Sequence, residues 1–243
     1  MKYHEGNSVM IISSSKKDLI WQAPEKIIFI DKYLSRIKKN WVLIDFGCGT
    51  AENIKRNILP LMKKNDTYMG IDISGRLLTR AEKNIPNGIF INAPMAKANL
   101  TPHEADYLTF FGSLHHDENP QKTILKASSL LKIGGFAFLR EPNEIAFKKG
   151  GGASPWEAGF NSNKLRSWLE RAGFRIIEWH YLNTKPFHFL RKCLAKFRLG
   201  SWEKVPIFWK FKVIIELFME KPIKIFFKPW RGTDMFIVAK KVK

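Results

Sequence analysis

The sequence predicts an α/β domain: a seven-stranded, mostly parallel sheet with helices on both faces and a basic, aromatic helical insertion before the last strand. Three observations carry this. Short apolar runs alternate with stretches whose apolar residues recur at helical spacing. The first run ends in an acid and a glycine turn, and a helical pattern follows. Past residue 183 the alternation gives way to a segment dense in Lys, Arg, Phe and Trp, then resumes for one strand.

Taken in order, residues 1–38 form an N-terminal cap segment. Pro24 suits the first turn of a helix, continued by Ile27, Ile28, Ile30, Tyr33, Leu34 and Ile37. Val42, Leu43 and Ile44 read as a buried parallel strand that ends at Asp45. A helix near 52–63 follows, with Ile54, Ile58, Leu61 and Met62 on one stripe, and Pro60 kinks it or ends it early. The second strand is 67–72. A helix near 76–84 closes at Pro86. Phe90 and Ile91 centre a third strand, and 105–111 makes a fourth. Residues 121–131 are helical, and Lys132, Ile133, Gly134 and Gly135 read as a helix stop and turn. The fifth strand is 136–139, and a flexible loop covers 149–155. Asn161 caps the next helix, which ends at Gly173. Strands at 174–182 and 235–239 complete the sheet. The domain is thus split between 39–183 and 232–243, around the insertion at 184–231.

A chain of 243 residues can bury a large core, and its aromatic content argues against disorder. Its net charge of +19 favours anionic partners. The two cysteines, Cys48 and Cys193, show neither pairing nor metal spacing, so a reducing cytoplasm is expected. No basic-then-apolar leader begins the sequence. No apolar run reaches the ~18 residues that span a bilayer.

Ligands of open parallel sheets sit at the carboxyl ends of the strands. That rule selects Asp45, Phe46, Gly47, Cys48 and Gly49 from the first strand, and Asp72 and Ile73 from the second. Asn92 and Ala93 follow from the third strand. Phe111, Gly112 and Ser113, then His115 and His116, come from the fourth; Arg140, Glu141 and Asn143 come from the fifth. Gly47 and Gly49 let the backbone turn tightly and approach a ligand. A carboxylate at Asp72 suits ribose hydroxyls. A dinucleotide is disfavoured, because Glu52 stands where the G-x-G-x-x-G fingerprint needs its last glycine, and its charge there repels a pyrophosphate. The expected ligand is a nucleoside without phosphates.

Asp45, Gly47 and Gly49, with Ala51 in place of the last glycine, resemble motif I of the class I S-adenosylmethionine (SAM) methyltransferases, type 11-like, of pattern D-x-G-x-G-x-G. Phe111 to His116 and Ser128 to Arg140 resemble later motifs of that family, over about residues 40–182 plus the final strand. The resemblance implies a Rossmann-like fold and SAM as cofactor. It implies that Asp72 binds the ribose, that Asn92 and Ala93 lie at the adenine, and that Gly47 and Gly49 contact the methionine moiety. It also implies that the N-terminal segment covers the cofactor, with Tyr3, His4 and Trp21 near the substrate mouth.

Methyl transfer to oxygen gains from a general base. His115 and His116 are candidates because histidine titrates near neutrality. On an extended stretch only one would face the cleft, and His116 is preferred. Glu141 is the second candidate base, set against an ion pair with a neighbouring cation. No metal is expected, since the His and acid spacings form no ligand set.

The insertion at 184–231 holds 12 Lys or Arg against 3 acids, with 11 Phe or Trp. Phe187, Leu190, Leu194 and Phe197 fall on one helical stripe, and Arg191, Lys192, Lys196 and Arg198 lie off it. Such a segment suits an anionic membrane surface at the cytoplasmic face, or a cap over the substrate. Nucleic acid ranks lower, because large aliphatics dominate. The expected activity is SAM-dependent methylation of a small-molecule or lipid-like acceptor at oxygen. The alternatives are an RNA methyltransferase and a SAM-binding accessory protein without turnover.

Overall fold

A computed structural model describes residues 30, 32–34, 40–144, 159–182 and 234–243. Outside them lie Tyr3, His4 and Trp21, most of the N-terminal helix, the loop at 149–155, Cys193 and the 184–231 insertion.

Seven strands form one sheet: β1 Val42–Phe46, β2 Thr67–Asp72, β3 Ile89–Asn92, β4 Ala105–Phe111, β5 Leu131–Pro142, β6 Phe174–Leu182 and β7 Asp234–Lys241. Their order is β3-β2-β1-β4-β5-β7-β6. All pairings are parallel except those of β7, which runs antiparallel to β5 and β6. Among the described residues, α-helices accompany them: α1 Glu52–Asn57, α2 Gly75–Asn84, α3 Pro120–Leu130 and α4 Ser162–Arg171. Among the described residues no helix is long and apolar enough to cross a membrane.

The strict alternation of side chains divides the core into two layers. Leu43, Tyr107, Phe138 and Phe236 face Ile54 and Ile58 of the α1 region, Ala81 of α2, and Tyr33 of the N-terminal segment. Ile44, Phe46, Leu108, Phe110 and Ile237 face Ile124 and Leu130 of α3 and Leu165 of α4. Each Leu, Ile or Phe among them, fully buried, contributes roughly 1.5–3 kcal/mol. Asn161 caps α4 as expected, accepting from the Asn163 and Lys164 amides at 3.1 and 3.2 Å.

The early end expected of the helix at Pro60 is found, and the turn expected at 132–135 is corrected. The helix near 52–63 stops at Asn57, and Pro60 sits in a 3-10 turn, Leu59–Leu61. A proline has no amide to continue the α-helical ladder. The turn expected at 132–135 lies inside β5: Leu131 pairs with Ala105, and pairing resumes at Phe136 with Tyr107. The residues between bulge out, with Gly134 at φ +89. A Cβ on Gly135 would lie 2.8 Å from the Asp106 carbonyl, so glycine lets the strand return at once to its register.

The N-terminal segment is tied to the sheet at two places. The Tyr107 hydroxyl reaches the carbonyls of Tyr33 and Leu34, each at 3.0 Å. Glu178 on β6 accepts from Lys32 at 2.6 Å and from the Tyr33 hydroxyl, and His180 lies 3.2 Å away. Burial alone would raise the Glu178 carboxyl, but hydrogen bonds from Lys32, Tyr33 and His180 outweigh it and leave it lowered. A lowered carboxyl gives stability that is complete above the unfolded value, about 4.3, and is lost as pH falls through the folded value. Lys32 is largely solvent-exposed, which screens its share. Thermal melts of Glu178→Gln should therefore show a deficit of about 1 kcal/mol at pH 7 that shrinks below about pH 4. A deficit that stays constant from pH 7 to 3.5 would contradict this account.

Candidate active site

The glycine turn is built on the end of β2. The Ile71 carbonyl accepts the amides of both Gly47 and Cys48, at 2.8 and 3.0 Å. One residue on, the Asp72 carboxylate accepts the Gly49 amide at 2.8 Å and the Ser74 amide at 2.9 Å. Each Asp72 oxygen thus spends one lone pair on the backbone and keeps a second. Gly47 and Gly49 have φ of +69 and +56, the left-handed region glycine adopts freely. Among the described residues nothing lies within 4 Å of a Cβ placed on Gly49 or Gly112, whereas a Cβ on Gly47 would lie 2.4 Å from that of Ser113.

Ala51 also sits in the left-handed region, at φ +54, and is 1% exposed. That conformation costs a residue with a Cβ roughly 1–2 kcal/mol. Its buried methyl returns about 0.8 kcal/mol. The methyl thus offsets part of the left-handed cost, and alanine stands here at a small net loss relative to glycine.

Behind the turn, Asp45 is 4% exposed. Its carboxylate accepts from Thr109 of β4 at 2.7 Å and from the Tyr68 hydroxyl of β2 at 3.2 Å. Cys48 fills space beside it, and burial, then the Asp45 and Asp72 charges, push its thiol far up.

Across the sheet, Glu141 organises the end of β4. Its side chain is fully buried. One oxygen accepts the amides of Ser113 and Leu114 at 3.1 and 2.9 Å. The other takes the His115 amide at 3.3 Å and His115 Nδ1 at 2.8 Å. These donors wind Leu114–His116 into a 3-10 turn. The two histidines are therefore not on an extended stretch, and they do not point to opposite sides. Their ring centroids are 3.9 Å apart, with His115 half-buried and His116 exposed. The Ser113 hydroxyl donates to the Phe46 carbonyl at 2.5 Å, which joins this turn to the glycine turn.

A glycine cradle open to a ligand, with an acid at the end of the next strand holding spare lone pairs, suits a nucleoside whose sulfonium and ammonium are cationic. The sequence matches the family described as "Methyltransferase domain" over residues 37–173. The chain belongs to that family. It is a SAM-dependent methyltransferase with a Rossmann-like sheet, and its cofactor is S-adenosylmethionine. No curated protein sequence matches it.

Among solved structures, the methyltransferase is similar to a SAM-dependent methyltransferase of Thermotoga maritima at 12% identity and TM-score 0.58, covering 96% of each chain. It is similar to phosphoethanolamine N-methyltransferase 2 of Haemonchus contortus, in complex with SAM, at 15% identity and TM-score 0.60, covering 90% of this chain and 53% of that one. It is also similar to the [4+2]-cyclase SpnF at 18% identity and TM-score 0.56, covering 93% and 79%. At such identities the likeness is one of fold.

The other expected residues of the methyltransferase fall as follows. Asn92 is exposed at the end of β3, and its amide donates to the carbonyls of Asp72 and Ile73 at 3.1 and 2.9 Å, leaving Oδ1 as its acceptor. Ile73 is 50% exposed, beside Ala93. Phe111 and Gly112 border the cleft, and Gly112 has φ +72. Phe46 departs from expectation: its side chain is fully buried and stacks on Phe110 at 4.7 Å, so only its backbone reaches the turn. Arg140 pairs with Asp234 at 2.9 Å, and Asn143 is buried. Among the described residues no group of His, Cys, Asp and Glu is placed to hold a metal.

Sequence reasoning assigned no role to Tyr68, Gly70 or Thr109. Only the strand order, with β1 between β2 and β4, brings them to Asp45. Gly47→Ala should lower stability by about 2–5 kcal/mol, from overpacking and left-handed strain together. Calorimetry should show no SAM binding by any fraction that still folds, and wild-type affinity in this variant would refute the packing argument.

Proposed function

We propose that the methyltransferase methylates a small-molecule or lipid-like acceptor at oxygen, with His115 as general base and Glu141 holding it in place. The observation that carries the reading is the 2.8 Å contact between His115 Nδ1 and a Glu141 oxygen. A carboxylate only accepts, so Nδ1 bears the hydrogen. In the neutral ring Nε2 then carries the basic lone pair. Glu141, with four donors on two oxygens, is saturated and acts as a positioning residue. This reading prefers His115 over His116, the reverse of the expectation from an extended stretch.

An oxygen acceptor loses its proton as the bond from oxygen to the donor methyl forms. His115 would take that proton on Nε2, and the bond from the sulfonium to the methyl would break to leave a neutral thioether. Alignment supplies the rest of the rate. SAM provides the methyl group; Asp72, the glycine turn and Gly112 would hold it.

His115→Ala should lower turnover by about 10²–10⁴ while leaving SAM affinity unchanged, and His116→Ala should lower it less than about tenfold. Turnover is read as labelled methyl entering metabolites of a cell extract, with release of demethylated cofactor. Equal rates for wild type and His115→Ala would remove the base assignment. Cofactor release that never exceeds background would favour a binding or cyclase-like role.

The 184–231 segment supports membrane contact through its excess of 12 cations over 3 acids and its many aromatics. The full chain should sediment with anionic vesicles, less so as salt rises. Equal recovery with neutral vesicles would argue against such contact.

A further inference from the structure

One polar row crosses the layer of apolar side chains beneath the glycine turn. Asp45 stands opposite Gly70 of β2 on one side and Thr109 of β4 on the other. Thr109 holds one carboxylate oxygen and Tyr68 the other. Tyr68 reaches it because residue 70 has no side chain. A Cβ there would lie 3.0 Å from the Tyr68 hydroxyl and 2.7 Å from the Cys48 sulfur. Tyr68 and Thr109 are 2% and 0% exposed. Burial, then the Asp45 charge, push the Tyr68 phenol far up, so it keeps its proton and donates.

A carboxylate in such a layer is costly to bury, and apolar residues of similar size would fold at least as well. Its place directly beneath the turn supplies a use. If the ribose sits at Asp72 on β2 and the adenine at Asn92 on β3, the amino-acid end with its ammonium falls on the opposite side, over the glycine turn of β1. We propose that Tyr68 and Thr109 are positioning residues for the methyl donor: they fix Asp45 and the turn above it for the donor's amino-acid end. This rests on the reading that the turn holds SAM.

Calorimetry with SAM, its demethylated product and 5′-methylthioadenosine tests it. The last keeps the nucleoside and lacks the amino-acid end. Tyr68→Phe and Thr109→Val should each bind the first two about tenfold more weakly, the range of a hydrogen bond to a charged group. Binding of 5′-methylthioadenosine should be unchanged, and Thr109→Ser should restore wild-type affinity. Equal weakening of all three ligands, which a general loss of structure produces, would overturn the proposal. So would unchanged affinity in both variants. If Tyr68→Phe does not fold, the Thr109 pair carries the test. Failure of the wild type to bind SAM would instead remove the donor site itself, and this inference with it.

Discussion

The carbonyl of Ile71 is the hinge of the site. It accepts two successive amides of the glycine turn, and the Asp72 carboxylate accepts the next one, that of Gly49. Those three bonds fold the end of β1 over the end of β2. Without them the turn would have no fixed shape, because glycine adds none of its own. With them, a loop that must approach a ligand closely keeps its backbone donors satisfied, and the same acid retains lone pairs toward the cleft. Rigidity on one side and open acceptors on the other come from one residue pair, Gly49 and Asp72.

Carboxylates do similar work elsewhere in the sheet. Asp106 accepts the Val42 amide at the start of β1 at 2.9 Å, and Asp66 accepts the Trp41 amide at 3.1 Å. Glu141 takes three amides and an imidazole. In a chain with 22 acids against 41 Lys and Arg, several of the acids are thus bound to backbone where a strand starts or a turn begins. Loops at strand ends leave amides that no ladder partner satisfies, and a charged acceptor gives each of them a strong bond. The positions of these acids follow from where the sheet leaves donors unmet.

Much of this was legible in the sequence, because period-two and helical spacing are local signals. The strands, the glycine turn, Asp72 and the Asn161 cap needed only neighbouring residues. The misreadings share a cause. Gly134 and Gly135 signal a turn locally, yet the partner strand β4 draws them into a bulge. His115 and His116 look extended in isolation, yet a glutamate 26 residues later in the chain winds them into a 3-10 turn. Ligation of Asp45 by Tyr68 and Thr109 is likewise invisible without the strand order. Phe46 is the converse case: its neighbours sit at the turn, but alternation sends its ring into the core.

Charge separates the two substrates of the proposed reaction. At long range the +19 excess dominates and attracts anions. Exposed charges fade beyond about 8–10 Å at physiological salt, while buried ones are screened far less. Within the cleft, therefore, the nearest buried groups govern, and among the described residues these include the acids Asp45, Asp72 and Glu141. A cationic donor finds its complement only after entering. An acceptor that is anionic or carries such a headgroup would be drawn to the rim and stop short of the acids. The methyl group would then lie at the boundary between the two fields. The acids hold the cationic donor more strongly than its neutral product, so they serve donor binding and product release, and the rate of transfer rests on alignment.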